Sequence, residues 1–370
     1  MATNNTLAGV KFSVQALAKN VSARASKGVL YLIIDDANVT PEKVYTYTKL
    51  KQVTENFEDT NMGFITKAFA DYGVTKIFVA VGHDPSDGIE GSLLSTLALL
   101  NKFNFNGWMV APQITTEAEN KILCDFIKTQ RNEEDYPIKG VVYNYEADNE
   151  AIVNFTGDNL GIPSNEYCLD VACVLCTLGA NESITDHVAK NITGCDVKSS
   201  ADASIQNGEL FIVYNGLNYV FTNGVNSLKT IPKGHSEDYT HIRVVEVIDM
   251  IKSDVYTILH QKYIGKEGNS YSNRRTLVAT LDSYLNSTKG YLSNDEPSKA
   301  ELDVEATRDY LEKNELISKE WLTANDYDDI EDVPDDVILK QKLGTHVFVK
   351  LILYVMDTME QIEVKIQYQI

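Results

Sequence analysis

Apolar and polar positions follow two rhythms along this chain: strict alternation near both ends, and apolar runs or helical stripes between them. Val10 to Ala16 reads V-K-F-S-V-Q-A, which predicts a strand with one buried face. A polar joint, AKNVSARASKG, separates it from Val29 to Asp35, VLYLIID, an unbroken apolar run of the kind found in strands covered on both faces. Strand and helix patterns then take turns. Val44 to Leu50 reads as a strand, and Asn56 to Tyr72 as a helix with Phe57, Phe64, Ile65 and Phe69 on one side. Val74 to Val81 is a buried strand, Ile89 to Asn101 a helix, Trp108 to Ala111 a strand and Thr116 to Thr129 a helix. Ile138 to Tyr145 is a strand, and Ser164 to Leu178 a helix with Ser164 as its cap. Such an order predicts a layered α/β domain. Between 195 and 231, Gly and Asn turns separate ELFIVYN from LNYVFTN, which predicts a hairpin.

From His235 onward the pattern changes. Ile242 to Tyr263 is a long helix with Val244, Ile248, Ile251, Val255 and Leu259 on one stripe. Ser272 to Leu285 is a second helix and Lys299 to Lys313 a third. The acidic run Asp326 to Asp336 reads as a solvated loop. His346 to Val355 is an apolar strand, and after the turn DTMEQ comes Ile362 to Ile370, I-E-V-K-I-Q-Y-Q-I. No internal repeat or low-complexity linker interrupts the chain.

Composition narrows the function classes. The 370 residues, 44% of them hydrophobic, suffice for two domains with separate cores. With 53 acidic against 33 basic residues the formal charge is −20, which disfavours nucleic-acid backbones and anionic membranes as partners. The N-terminus lacks the basic-then-apolar plan of a signal peptide, so synthesis and use in the cytoplasm are expected and the sequons at Asn154, Asn181, Asn191 and Asn286 carry no meaning. Five cysteines, Cys124, Cys168, Cys173, Cys176 and Cys195, are expected as free thiols. Cys173 and Cys176 form a C-x-x-C, but they lie in the apolar helix YCLDVACVLCTLGA without a second ligand pair at zinc spacing, so packing in a core explains them.

An α/β enzyme is the alternative that these patterns leave open. Its candidate site is the polar turn GHDPSDG after a buried strand, with His83, Asp84 and Asp87, where such folds place their ligands. Asp35 and Asp36 also end a strand and offer a cation site, against the commoner role of turn or helix-start capping. The glycine-rich nucleotide loops and the G-x-S-x-G elbow are absent. No metal or cofactor is expected.

The terminal strands point elsewhere. Ile362, Val364, Ile366, Tyr368 and Ile370 share one face, as do Val10, Phe12, Val14 and Ala16, and no charged run blunts either segment. Long apolar edges recruit other chains. Either both strands pair within their own subunit, or they pair with neighbouring subunits, where backbone bonds supply affinity and alternate side chains supply register.

Four segments together resemble the contractile tail sheath proteins, and most nearly the short type of phages and phage-tail-like bacteriocins of Gram-positive bacteria. They are GVKFSVQALAKNVSARASKGVLYLIIDDA, VVEVIDMIKSDVYTILHQKYIGKEGNSYSNRRTLVATLDSYL, ELDVEATRDYLEKN and VFVKLILYVMDTMEQIEVKIQYQI. They cover about a third of the chain in the family's order, while residues 36 to 230 match only in their α/β pattern. The resemblance implies an outer α/β layered domain (28–234) inserted into an inner, tube-facing α+β domain (235–355). The N-terminal arm (1–27) and the C-terminal arm strand (356–370) complete it. It implies hexameric rings stacked helically around a tail tube protein, with baseplate and tail-terminator proteins as further partners and the virion tail, or a phage-tail-like particle, as location. Val10, Phe12, Val14, Ile362, Val364, Ile366 and Tyr368 are then the strand-exchange residues. Contraction of the linked mesh would drive the tube through the bacterial envelope without a nucleotide. Family sheaths grip the tube partly by charge, which makes Arg308, Lys313, Lys319, Arg274 and Arg275 tube-contact candidates. Each of these reads equally as a solvated helix charge with a local partner.

Overall fold

The structure, a computed structural model, describes residues 28–82, 89–103, 106–178, 182–288, 291–293, 295–355 and 358. These fall into two compact units that divide between Ser253 and Asp254.

The first unit is built on a seven-stranded sheet: β1 (Val29–Ile34), β2 (Lys43–Tyr47), β3 (Ile77–Val81), β4 (Gly107–Val110), β5 (Ile138–Tyr143), β6 (Ile152–Phe155) and β7 (Glu209–Leu210). The strand order is β2-β3-β1-β4-β5-β6-β7, parallel throughout except for the antiparallel edge strand β2. Strand periodicity divides the side chains between two cores. Leu30, Leu32 and Ile34 of β1 join the cluster under α1 (Asp59–Ala70) and α4 (Ser164–Thr177). Tyr31 and Ile33 join the opposite cluster under α2 (Ile89–Leu100) and α3 (Glu117–Asn132). A sheet covered by helices on both faces explains why VLYLII is apolar at every position. Gly107 permits β4 to lie against β1, since a Cβ there would fall 2.2 Å from the Val29 carbonyl oxygen. Downstream lie α5 (Ala201–Gln206) and the hairpin β8 (Ile212–Tyr214)–β9 (Tyr219–Phe221), where the hairpin was expected.

The long helix α6 (Ile242–Lys262) contains the division between the units. The second unit continues with α7 (Tyr271–Ser287), β10 (Lys299–Leu302), α8 (Val304–Lys313), α9 (Lys319–Ala324), α10 (Asp335–Ile338) and β11 (Val349–Ile352). Leu311, Leu322, Ile330, Val333, Ile338 and Leu343 form a core of their own. β10 and β11 make an antiparallel two-stranded sheet.

Three expectations need correction. The helix expected over Lys299–Lys313 is a strand followed by a helix. Asp303 is the N-cap of α8, its carboxylate accepting from Ala306 N–H, so the helix starts only after it. Pairing with β11 then overrides the helix preference of Lys-Ala-Glu-Leu. Ser164 is not the cap of α4 but its first residue. Pro163 stands at the cap, and the Ser164 hydroxyl donates to Asp158. The acidic run is not wholly a loop: a 3₁₀ turn (Ile330–Asp332) forms within it and α10 begins at its end, because Ile330, Val333 and Ile338 are buried while the acidic residues face water. The expected strands Val10–Ala16 and Ile362–Ile370 and the turn bearing His83, Asp84 and Asp87 lie outside the described residues.

Candidate functional site

In an open parallel sheet, ligands bind beyond the carboxyl ends of the strands where the chain reverses its direction of travel. Here that point lies at β1, with β3 on one side and β4 on the other. Asp36, just past β1, is buried and its carboxylate is taken up by its surroundings. It accepts from the Asn38 N–H at 2.9 Å, the Glu58 N–H at 2.8 Å and the Asn61 side-chain amide at 2.9 Å. Asn61, fully buried in the first turn of α1, also donates to the Asp35 carbonyl. From the β4 side, Gln113 accepts from the Asp35 N–H at 2.7 Å and donates to Asn61 Oδ1 at 3.2 Å. The crevice is thus laced by amides bonded to backbone. Asp36 serves the turn and helix start, as capping predicts. No group of His, Cys, Asp and Glu side chains suited to a metal ion occurs among the described residues.

The cysteines are core residues. Cys124, Cys168, Cys173 and Cys176 are buried and Cys195 half-buried, all as free thiols. Burial pushes the Cys124 thiol up to about 12 and raises Cys168, Cys173 and Cys176 as well, so none is a ready thiolate.

A concentration of buried charge lies at the opposite, amino end of the sheet. Arg131, on α3, holds Asp249 of α6 with two bonds of 2.8 and 3.1 Å and donates from Nε to Glu150 at 3.1 Å. Lys139, on β5, is only 1% exposed. Its ammonium pairs with Asp249 at 3.3 Å and Glu246 at 3.2 Å, and lies 5.4 Å from the centre of the Trp108 ring. Burial by itself would lift the Asp249 carboxyl, but the charges of Arg131 and Lys139 outweigh it and hold the group below the usual carboxylate range. Burial likewise opposes the Arg131 charge, and Asp249 with Glu150 more than offsets it. This network fastens the first half of α6 to the sheet. It was not singled out from the sequence, although Lys139 inside I-K-G-V-V-Y and the acids Glu246 and Asp249 in an apolar helix were visible signals.

The tube-contact candidates divide by environment. Arg308 donates to the carbonyls of Ile330 and Val333 and to Asp335, which pins α8 to the acidic segment. Arg274 is 4% exposed. Arg275 and Lys319 are exposed, and Lys313 is exposed with Asp309 as an i,i+4 partner. The second unit also offers a feature of assembly type. Among the described residues no strand pairs with the outer edge of β11, and Val349, Leu351 and Ile352 are only half-buried. A two-stranded sheet is marginal by itself.

Comparison with known proteins agrees with this picture. Residues 235–369 match the phage tail sheath C-terminal domain. The chain is 26% identical over 371 residues to the tail sheath protein of Clostridium phage phiCD119, covering 98% of this chain and 99% of that one. Among solved structures it resembles the sheath tail protein of Desulfitobacterium hafniense (TM-score 0.63, 14% identity, 80% of this chain and 94% of the other). It also resembles the contracted helical sheath protein of the anti-feeding prophage (TM-score 0.64, 12% identity, 99% and 100%). These relatives are tail sheath proteins by name, which favours the assembly reading over the enzyme alternative. Residues 235–369, which include the whole of α6, are thus similar to the phage tail sheath C-terminal domain, and the chain along its whole length is similar to the tail sheath proteins of phages and contractile injection systems.

Proposed function

We propose that this protein is the subunit of a contractile tail sheath, assembling as hexameric rings stacked helically around a tail tube and attached to a baseplate. In this reading residues 28–234 form an outer α/β domain inserted into an inner domain of residues 235–355, and arms 1–27 and 356–370 link neighbouring subunits. The observation that carries it is the outer edge of β11, which pairs with no strand among the described residues, within the region that matches the sheath C-terminal domain. A strand from a neighbour, carrying Ile362, Val364, Ile366 and Tyr368 or Val10, Phe12 and Val14, would continue the β10–β11 sheet and cover its half-buried apolar side chains. Exposed Arg275, Lys313 and Lys319 are the cations suited to face the tube. Each such contact is weak, at about 0–1 kcal/mol, so a grip would depend on repetition along the lattice.

Electron microscopy of the purified protein tests the reading. Striated tubes of constant width are expected at raised protein concentration or salt. A protein that stays monomeric under all such conditions, and in the presence of a cognate tube, would overturn it.

A further inference from the structure

Arg274 is anomalous. It lies in the first turns of α7, 4% exposed, yet its one hydrogen bond among the described residues is from a terminal nitrogen to the Gln341 carbonyl at 3.0 Å. Its Nε is buried without a partner among the described residues. No carboxylate among the described residues pairs with it, and burial draws its pKa below the ordinary arginine value. Arginine is almost never buried unless paired, because an uncompensated charge loses its hydration without return. Every other buried or half-buried cation discussed above, Arg131, Lys139 and Arg308, has a carboxylate. The surroundings favour an anion. Arg274 stands near the amino end of a 17-residue helix, whose dipole attracts negative charge, and Arg275 and Lys342 nearby in sequence to Arg274 and Gln341 are exposed.

We propose that Arg274 is the socket for a carboxylate supplied by a second copy of this chain, with the exposed acidic run at Asp326 and Asp328 as the donor. The inference rests on the sheath reading and adds a subunit contact to it. In the isolated subunit the guanidinium is drawn in against Gln341. In the assembly it swings toward the incoming carboxylate and gains the paired bonds it lacks. Asp326 and Asp328 are exposed and enter no ion pair among the described residues, whereas Asp335 and Asp336 are engaged by Arg308 and Lys340. Socket and donor are separate residues of the same unit, and in the sheath reading the contact is head-to-tail. Contacts of that kind repeat into rings or helices rather than closing as dimers.

The test compares Arg274→Met with Asp326→Asn/Asp328→Asn in the full chain, reading monomer Tm and the protein concentration at which tubes form. Arg274→Met removes an unpaired buried charge at similar volume, so its monomer Tm should equal or exceed that of wild type. Both variants should raise the concentration for tube formation at least about tenfold, as expected from losing a charge-assisted contact of roughly 1.5–3 kcal/mol in each subunit. A lower monomer Tm in Arg274→Met would mean that the partner is internal and overturn the proposal. So would normal tubes from either variant, or empty sheaths that form normally but release the tube, which would assign the carboxylate to the tube protein. Inorganic phosphate that raises the Tm of wild type but not of Arg274→Met, with assembly unchanged in the variant, would reduce the socket to a site for free anions. Failure of wild type itself to form tubes would instead strike at the sheath reading.

Discussion

Replacing Asp249 with Asn is the sharpest test of how α6 is held. The carboxylate is 3% exposed and takes two bonds from Arg131 and one from Lys139. Asparagine keeps the volume and removes the charge, leaving two buried cations with only Glu150 and Glu246 as counter-charges. Breaking one side of a buried ion pair costs about 3–5 kcal/mol, chiefly the penalty of the charge left behind. The double variant Arg131→Met/Asp249→Leu should therefore be less destabilised than Asp249→Asn alone, since it strands no guanidinium. The effect has a sign in pH. The Asp249 carboxyl titrates lower in the folded protein than in the unfolded chain. Its contribution is therefore fully present above the unfolded carboxylate value of about 3.9 and is lost as pH falls through the lower folded value. Urea unfolding followed by circular dichroism, repeated from pH 7 down to about pH 3, measures both quantities. Wild type should lose stability across the acid limb that Asp249→Asn lacks. A variant within about 1 kcal/mol of wild type at pH 7, or one with an unchanged acid limb, would refute the view that this pair fastens the helix.

Four further outcomes are expected. Asn61→Leu should cost about 2–4 kcal/mol, because Asp36 and the Asp35 carbonyl each lose a donor, at about 1–3 kcal/mol for a buried acceptor left short; thermal unfolding reads it, and a loss below about 1 kcal/mol contradicts the lacing of the crevice. A thiol reagent should label only Cys195 in the native protein and all five cysteines in denaturant; fast native reaction at Cys173 or Cys176 would reopen a redox role. Charge reversal at Lys313 and Lys319 together should weaken the extended sheath on its tube and promote early contraction with little change in subunit Tm, and wild-type persistence of extended particles across a salt series would remove both from the tube face. A chain ending at Met359 should fold cooperatively yet form no tubes, the strand it lacks being worth about 1.5–3 kcal/mol for each large side chain buried in a neighbour; aggregation and lost cooperativity would instead show that the strand pairs at home.

The layered α/β unit was legible because local pattern and tertiary role coincide there. VLYLII is apolar at every position because both faces of β1 are covered, and the order of strands and helices predicts the layers. Periodicity likewise predicted α6, α7 and the β8–β9 hairpin. The similarity of the C-terminal region to the phage tail sheath C-terminal domain was legible from the spacing of short segments, none specific alone. Other features depended on partners distant in sequence. Lys-Ala-Glu-Leu favours a helix in isolation and becomes β10 only because β11, about fifty residues later, supplies its ladder. The turn at Asp36 looks the same in sequence whether it holds a cation or caps a helix. Asn61 and Gln113, brought in by α1 and β4, decide for the cap. Arg274 reads as one more helix charge until folding buries it without a counter-ion among the described residues. Hydrophobic rhythm is a property of neighbours along the chain, so sequence alone determined which faces are buried. Charge pairing depends on distances of a few ångströms between remote residues, and only the tertiary structure decided which buried charges are satisfied.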